Sequence, residues 1–570
     1  MGSVSVADLR EQLRGQVLTP DDAGYEDARK VYNAMIDRRP AAVVRPANAG
    51  DVIAAVNFAR ENDLDLAIRG GAHSVPGFGT VDDGVVIDLS GMRGVRVDPA
   101  RQRARAEGGA TWGDFNAATY PFGLATTGGI ISTTGVSGLT LGGGIGYLAR
   151  GFGLSCDNLV SADVVTADGR FLVASEQEHQ DLFWALRGGG GNFGVVTSLE
   201  FQLHPVKDIY GGPMFFELDD AEAVLRFYRE FIADAPEQFG GFPAWQIAPP
   251  LPFIPEDRHG DPFLAFVACW AGALDQGEAA LKPLHDVAPV VAEHVGPMPY
   301  PALNAAFDGL VPPGLQHYWK ANFVTELSDD AIAAHLQHGP KVPVVNSTMH
   351  LYSINGACHR VGPDETAFAY RDATFAPVIA GMWPDPAQNE ANIAWVRDYY
   401  DATAPHSEQG GYVNFMSGDD QDRIKANYRG NYERLVEVKR RYDPGNLFHV
   451  NQNIAPSRPA AATGRRHERW QGRGSSPTGS SPRASATPSA GTSTSPTRWW
   501  GRGRSTWSWR PAGPPISTWP GRCRAWPGSF AGWPRSAASS CSTSAGPASR
   551  TGSPRTPRPR WRSAPTTCWR

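Results

Sequence analysis

Residues 69–79 read RGGAHSVPGFG, a lone imidazole, His73, set among Gly70, Gly71, Gly77 and Gly79. Imidazole is a nucleophile, base or ligand near neutral pH. Glycine lets a bound molecule approach backbone N–H groups with no Cβ in the way. Two more glycine-rich stretches follow: TTGVSGLTLGGGIGYLARGFG at 133–153 and RGGGGNFGVV at 187–196. Successive N–H groups in such turns form concavities that suit phosphate. Each stretch alone reads as a tight turn. Three in one strand-rich region favour a long, phosphate-bearing ligand lying across several turns.

Gly189, Gly191 and Gly194 match the spacing G-x-G-x-x-G. A dinucleotide fingerprint of that form needs a strand before it, a helix after it and an acid roughly 20 residues on. Here DLFWALR precedes it as a helix, VVTSLEF follows as a strand, and Glu200 comes too soon. A Rossmann site is therefore rejected, and no G-x-x-x-x-G-K-[ST] run is present.

The elements that must carry these loops are short. Val52, Ala55, Val56 and Ala59 fall on one helical face, with Asp51 placed to cap it. Strands are expected at 65–68 and 84–90, a hairpin around Asp98-Pro99, a second hairpin at 161–175 turning at Asp168-Gly169, and a strand at 195–203. Beyond Pro205, a helix at Ala221–Asp234 alternates with strands at Phe263–Trp270 and Thr348–Ser353. Ile424–Tyr442 reads as one long helix stopped by Asp443-Pro444-Gly445. The fold class is α+β, divided at 1–205, 206–404 and 405–457, with a low-complexity tail at 458–570.

The chain has 570 residues, is 41% hydrophobic and carries a net charge of −5. That charge conceals an asymmetry. Residues 458–570 hold 19 of the 53 basic residues and one of the 58 acidic ones, so a body of −23 precedes a tail of +18. The tail has 10 of the 17 tryptophans, no lysine and no hydrophobic period. It is expected to be disordered. Arginine with tryptophan also suits a nucleic-acid arm, but the composition better matches a GC-rich gene read out of frame from near residue 457. Cys156, Cys269 and Cys358 form neither a disulfide framework nor a zinc spacing. The start lacks a signal peptide's basic and apolar regions, and no 18-residue apolar run occurs. No metal and no membrane are expected, and the setting is read as cytoplasmic. Oligomeric state is left open.

RGGAHS, TTGGIISTTGVSGLTLGGGIGYLARGFGLSCDN, DLFWALRGGGGNFGVVTSLEF and YDPGNLFHVNQNI together resemble the berberine-bridge-enzyme-like flavoprotein oxidases. These belong to the vanillyl-alcohol-oxidase superfamily, with an FAD-binding domain of the para-cresol-methylhydroxylase (PCMH) type. The likeness runs from about residue 25 to 455. It implies a two-part FAD-binding domain, and an α+β substrate domain whose antiparallel sheet covers the flavin.

The resemblance also implies roles. His73, within Arg69, Gly70, Gly71, Ala72 and Ser74, would be bonded to the 8α-methyl of FAD. Some relatives add a cysteine bond four residues before the glycine at Gly135. Here that residue is Ile131, so a single attachment is expected. Cys156 lies in another motif and is not taken as a flavin ligand. Thr133, Thr134, Gly135, Ser137, Gly138, Gly143, Gly144 and Gly146 would wrap the dinucleotide, with Thr134 where relatives gate oxygen. Val195 would meet the adenine side. In GGYVNFM, Tyr412 would face the substrate as catalytic base and Asn414 would lie at the isoalloxazine. Asn451 would return to the FAD domain. Tyr318 and Tyr352 read either as pocket partners or as core. The implied reaction takes a hydride from a CH–OH or CH–NH centre of a small organic substrate, with dioxygen reduced to hydrogen peroxide. The alternatives are a dehydrogenase with another acceptor, or nucleic-acid binding through the tail.

Overall fold

In a computed structural model, residues 5–456 are described. The expectations for 458–570 (disorder, a nucleic-acid arm, an altered reading frame) lie outside the described residues. Three sheets organise the rest. Strands β1 (Gln16–Leu18), β2 (Ala42–Arg45), β3 (Leu66–Arg69) and β4 (Val85–Asp88) form the first, in the order β1-β2-β4-β3. β2 and β3 both run parallel to β4. Parallel strands are buried on both faces, and the β4 sequence VVID is buried throughout. The helix Ala49–Glu61 covers this sheet, and Val52, Ala55, Val56 and Ala59 are fully buried against it. Its cap differs from expectation. The Asn48 side chain caps the helix by accepting from Asp51 N–H, while the Asp51 carboxylate accepts from Arg14, Gly15 and Ala47 N–H groups.

The second sheet is antiparallel, in the order β5-β6-β9-β7-β8. Its strands are β5 (Val95–Asp98), β6 (Arg103–Glu107), β7 (Leu159–Val165), β8 (Phe171–Ser175) and β9 (Val195–Gln202). Both expected hairpins are present as β5–β6 and β7–β8. The 187–194 loop runs from the helix Gln180–Leu186 into β9. That is the reverse of a Rossmann turn.

The third sheet has eight antiparallel strands: β10 (Asp208–Phe216), β11 (Phe239–Ile247), β12 (Pro262–Trp270), β13 (Val290–Glu293), β14 (Gly296–Pro299), β15 (Gln316–Ala321), β16 (Thr348–Ser353) and β17 (Phe375–Trp383). Helices Ala221–Asp234, Asp329–His338 and Asn389–Thr403 pack on one face through Leu225, Tyr228, Ile332, Val396 and Tyr399. The opposite face looks toward the glycine loops. Arg150 links the two regions. Its guanidinium donates to the carbonyls of Ile232, Ala235, Pro236 and Phe239, and its Nε donates to Asn355 Oδ1. The open C-terminal end of the helix Ala221–Asp234 is thereby satisfied.

The long helix expected at 424–442 is broken. Ile424–Tyr428 and Tyr432–Tyr442 are separate helices. Between them Arg429 has φ 45 and ψ −128, outside the right-handed helical region, which ends the α-helix. Among the described residues no helix is long and apolar enough to cross a membrane, and no group of three or more His, Cys, Asp or Glu is placed to hold a metal ion.

Candidate active site

The 69–79 loop leaves β3 at Arg69, whose guanidinium is committed to protein carbonyls. Nε donates to Gly79 O at 3.0 Å and Nη1 to Ala28 O, with the Asp88 carboxylate 3.8 Å away. Arg69 therefore shapes the loop. The next turn docks on the 133–138 turn, backbone against backbone. A Cβ on Gly71 would lie 2.3 Å from Gly135 N, and one on Gly135 would lie 2.4 Å from Gly71 N, so only glycine fits either position. Ser137 secures the second turn by donating to Gly108 O at 2.6 Å.

Ala72 follows in a left-handed conformation, φ 61, which costs a non-glycine residue about 1–2 kcal/mol. His73 comes next. Its Nε2 lies 3.0 Å from Thr133 Oγ1 and its Nδ1 3.5 Å from Thr134 Oγ1. The Tyr32 ring stacks on it, centroids 3.7 Å apart at 26°. The imidazole keeps some accessible surface because it faces a cavity, with protein packed around the rest of the ring. Burial, aided by the nearby His317, pushes its pKa down to about 3. The ring is therefore neutral at physiological pH, and one of its nitrogens carries a lone pair.

That cavity holds about 350 Å³. Its floor comes from Gly70–Ser74, the 134–141 turn and Gly190–Asn192, and the C-terminal segment closes it with Asn414, Phe415, Asn451 and Gln452. The eight-stranded sheet forms the roof. Alternate residues of a strand share a face, and the roof follows that rule with His317 and Trp319 on β15, Thr348, His350 and Tyr352 on β16, and Val378, Ala380 and Met382 on β17. The Tyr352 hydroxyl and His350 Nδ1 are hydrogen-bonded at 2.7 Å. Burial holds His350 neutral by pushing its pKa down to about 3.

The floor fits an FAD dinucleotide on two observations. Gly138 and Gly191 line the cavity, and a Cβ on either would meet nothing within 4 Å, so backbone is open to an approaching ligand there. Asn451 Oδ1 and Gln452 Nε2 are buried beside the same turn with no hydrogen-bond partner among the described residues. Buried polar atoms are seldom left unpaired.

Not every expected residue reaches the cavity. Arg69, Gly70, Gly71, Ala72, His73, Ser74, Thr134, Gly135, Ser137, Gly138, Asn414 and Asn451 line it. Thr133 touches His73 but is not on the wall. Gly143, Gly144 and Gly146 lie behind the wall, and a Cβ on Gly146 would collide with Gly128 O. Val195 pairs with Val165 in β9 and packs in the core beneath the first sheet.

Tyr412 departs most from its expected role. It is 1% exposed and off the cavity wall. Its hydroxyl oxygen accepts from Gly144 N–H at 2.7 Å and Asn414 Nδ2 at 2.8 Å. Burial drives its pKa well above the usual phenol value. It braces the glycine turn and Asn414. Tyr318 is tied to Asp419, off the wall, whereas Tyr352 is on it. Sequence reasoning missed Tyr32, His317 and His350. The available signal was the period-two alternation that places His350 and Tyr352 on one strand face.

Two deeply buried histidines give a pH prediction. Burial pushes His317 and His335 down to about 4, while an unfolded histidine titrates near 6.5. Between those values the unfolded chain binds protons that the fold excludes. Stability is therefore full above about pH 6.5 and falls toward pH 4, by about 1.4 kcal/mol per pH unit for each group. Urea unfolding should show a lower midpoint at pH 5 than at pH 7. An equal or higher midpoint at pH 5 would contradict the neutral assignment.

Residues 40–175 match the family model described as an FAD binding domain, and residues 411–455 match the one described as berberine and berberine like. The molecule is thus an FAD-linked oxidoreductase. An FAD-linked oxidoreductase of Dictyostelium discoideum is 31% identical over 456 residues, covering 79% of this chain and 97% of the relative. The (R)-6-hydroxynicotine oxidase of Paenarthrobacter nicotinovorans is 31% identical over 462 residues, covering 78% of this chain and 97% of that enzyme. The crystal structure of 6-hydroxy-D-nicotine oxidase from Arthrobacter nicotinovorans superposes with a TM-score of 0.70 at 27% identity, covering 78% of this chain and 98% of that one. The chain belongs to the berberine-bridge-enzyme-like family of FAD-linked oxidases, with the PCMH-type fold that its three sheets display.

Proposed function

We propose that this chain is an oxidase that carries FAD on a single covalent bond from His73 and oxidises a CH–OH or CH–NH centre of a small organic molecule. Dioxygen is the final acceptor and hydrogen peroxide the product. The observation that carries the reading is His73 itself, a neutral imidazole on the cavity floor, held by Tyr32 and Thr133. Ile131 also lines that cavity. It occupies the place where doubly attached relatives carry a cysteine, and its side chain has no thiol to form a second bond. FAD, when bound, supplies the two-electron acceptor. The protein residues bind and orient. Gly70, Gly71, Gly138 and Gly191 offer backbone to the dinucleotide, Asn451 and Gln452 offer side-chain polar atoms, and Asn414 is fixed by Tyr412 and Leu139 O. Tyr32 holds the imidazole plane. The roof sheet keeps bulk water from the reacting centre.

In this reading residues 1–205 are the FAD-binding domain, 206–404 the substrate domain, and 405–457 the segment returning to the FAD domain. Cys156, Cys269 and Cys358 are unpaired and buried, which suits the reducing environment of the cytoplasm.

Oxidase and dehydrogenase are separated without knowing the substrate. Flavin photoreduced in the absence of air and then mixed with aerated buffer should reoxidise on the stopped-flow timescale, with peroxide formed in step with the flavin. Reduced flavin that persists for minutes in air, yet reoxidises with an artificial electron acceptor, would make the protein a dehydrogenase.

A further inference from the structure

We propose that the cavity accepts an uncharged, flat, ring-bearing molecule whose hydroxyl docks on the His350–Tyr352 pair. The inference rests on the reading of this cavity as the flavin enzyme's substrate site, and it names the substrate class.

Charge comes first. Among the described residues lining the cavity there is no Asp, Glu or Lys. The one arginine, Arg69, has its guanidinium on the carbonyls of Gly79 and Ala28. His73, His317 and His350 are neutral imidazoles in these surroundings. An ammonium or carboxylate entering the cavity would lose its hydration and find no opposite charge. The cavity therefore selects against charged substrates of either sign.

Shape and polarity come next. Tyr32, Phe307, Trp319, Tyr352 and Phe415 present aromatic rings to the interior, with Met382 beside them. Rings favour offset or edge contacts with other rings, beyond the area they bury. An oligosaccharide needs many hydrogen-bonding partners, whereas the roof side chains Gln246, Asn346 and Thr348 already donate to protein carbonyls.

On the roof, Gln246, Asn346 and Thr348 donate to the protein carbonyls of Val345, Leu310 and Trp245, and two other places offer polar groups to a ligand. One hydrogen is shared between the Tyr352 hydroxyl and His350 Nδ1, so the hydroxyl keeps one further hydrogen-bonding position, acceptor or donor according to the imidazole tautomer, and a substrate hydroxyl can answer either. The pair is fixed from behind by Phe242, whose ring centroid is 4.5 Å from Tyr352 and 4.9 Å from His350, and the Phe415 ring stacks on Tyr352. On β15, His317 Nε2 and Trp319 Nε1 are buried with no hydrogen-bond partner among the described residues. The indole N–H is a donor, so it suits a carbonyl or ether oxygen on the same molecule. Both sites lie on the sheet roof, opposite the His73 loop.

The test uses purified, flavin-loaded full-length protein and four probes at neutral pH: 2-naphthol, 2-naphthylmethylamine as its cation, 2-naphthoate and cellobiose. Calorimetric titration ranks affinities, and the flavin absorption band reports binding beside the ring. The proposal expects 2-naphthol to bind at least about tenfold more tightly than either charged analogue, to perturb the flavin band, and cellobiose to give no heat. Tyr352→Phe keeps the ring packing but removes the hydroxyl that engages both His350 and the ligand, and should weaken 2-naphthol by about tenfold. His350→Gln, whose amide can donate to or accept from Tyr352, should retain most of the affinity. Equal or tighter binding of the cation, the anion or cellobiose would overturn the proposal. So would 2-naphthol binding that leaves the flavin band unmoved or is indifferent to Tyr352→Phe. A colourless protein would overturn the flavin reading instead, and the calorimetric ranking would still decide the substrate class.

Discussion

His73→Ala yields a protein whose yellow colour washes out on acid precipitation, while the wild type keeps its colour in the pellet. The expected effect is complete, because no other side chain offers the same chemistry at the same place. Among the described residues, Ile131 faces the cavity where a thiol would be needed, and Cys156 is fully buried with its pKa pushed well above the ordinary thiol value by burial. A buried thiol of that kind is inert. His317 and His350 share the cavity but belong to the roof strands β15 and β16, not to the glycine floor. His317→Ala is therefore the control. It should leave the attachment intact although it removes another imidazole from the same cavity. Intact-mass measurement on both variants checks the result, and an adduct surviving in His73→Ala would contradict it.

The second large effect is on stability. Replacing Lys439 with methionine should cost about 3–5 kcal/mol, the usual loss when one partner of a buried ion pair is removed. Lys439 and Asp443 are both 0% exposed, with Nζ 2.6 Å from the carboxylate. Nζ also donates to Asn192 O and Phe448 O at 2.8 and 2.9 Å, so all three of its hydrogens are engaged. Desolvation lowers the Lys439 pKa, opposed by Asp443. Asp443 in turn accepts from Leu447 and Phe448 N–H groups. The cluster ties the C-terminal segment to the 187–194 loop, and Asn192 extends the tie by donating to Gln452 O and accepting from Ile454 N–H. Without Lys439 the carboxylate is buried and unpaired, and Asn451 and Gln452 lose their placement on the cavity wall. A urea unfolding curve with a markedly lower midpoint, together with weaker flavin retention in any fraction not covalently attached, is the expected outcome. A midpoint within experimental error of the wild type would contradict the role given to the pair.

How much of this was legible in the sequence depends on the element. The helix at 49–61 announced itself because its apolar residues recur at helical spacing, and Ala221–Asp234 did so for the same reason. The hairpins β5–β6 and β7–β8 carry turn residues at Asp98-Pro99 and Asp168-Gly169. β17 was missed because all nine of its residues are buried, so it shows no alternation to read. β10 was obscured by Gly211, Gly212 and Pro213 within the strand. The site divides in the same way. His73 and its glycines stand out by type and spacing alone. The place of Tyr412 does not, since nothing in GGYVNFM reveals that its hydroxyl meets Gly144, 268 residues earlier. His350 escaped because period two fixes which residues share a face of β16, but only tertiary packing decides which face meets the glycine loops.

The central claim is a bond between one imidazole nitrogen and FAD. Proteolysis of the wild-type protein, followed by mass spectrometry of the yellow peptides, tests it most directly. The account predicts the mass of FAD on the peptide containing His73 and on no other. Flavin mapped to a different peptide, or an unmodified His73 peptide from flavin-replete cells, would contradict it.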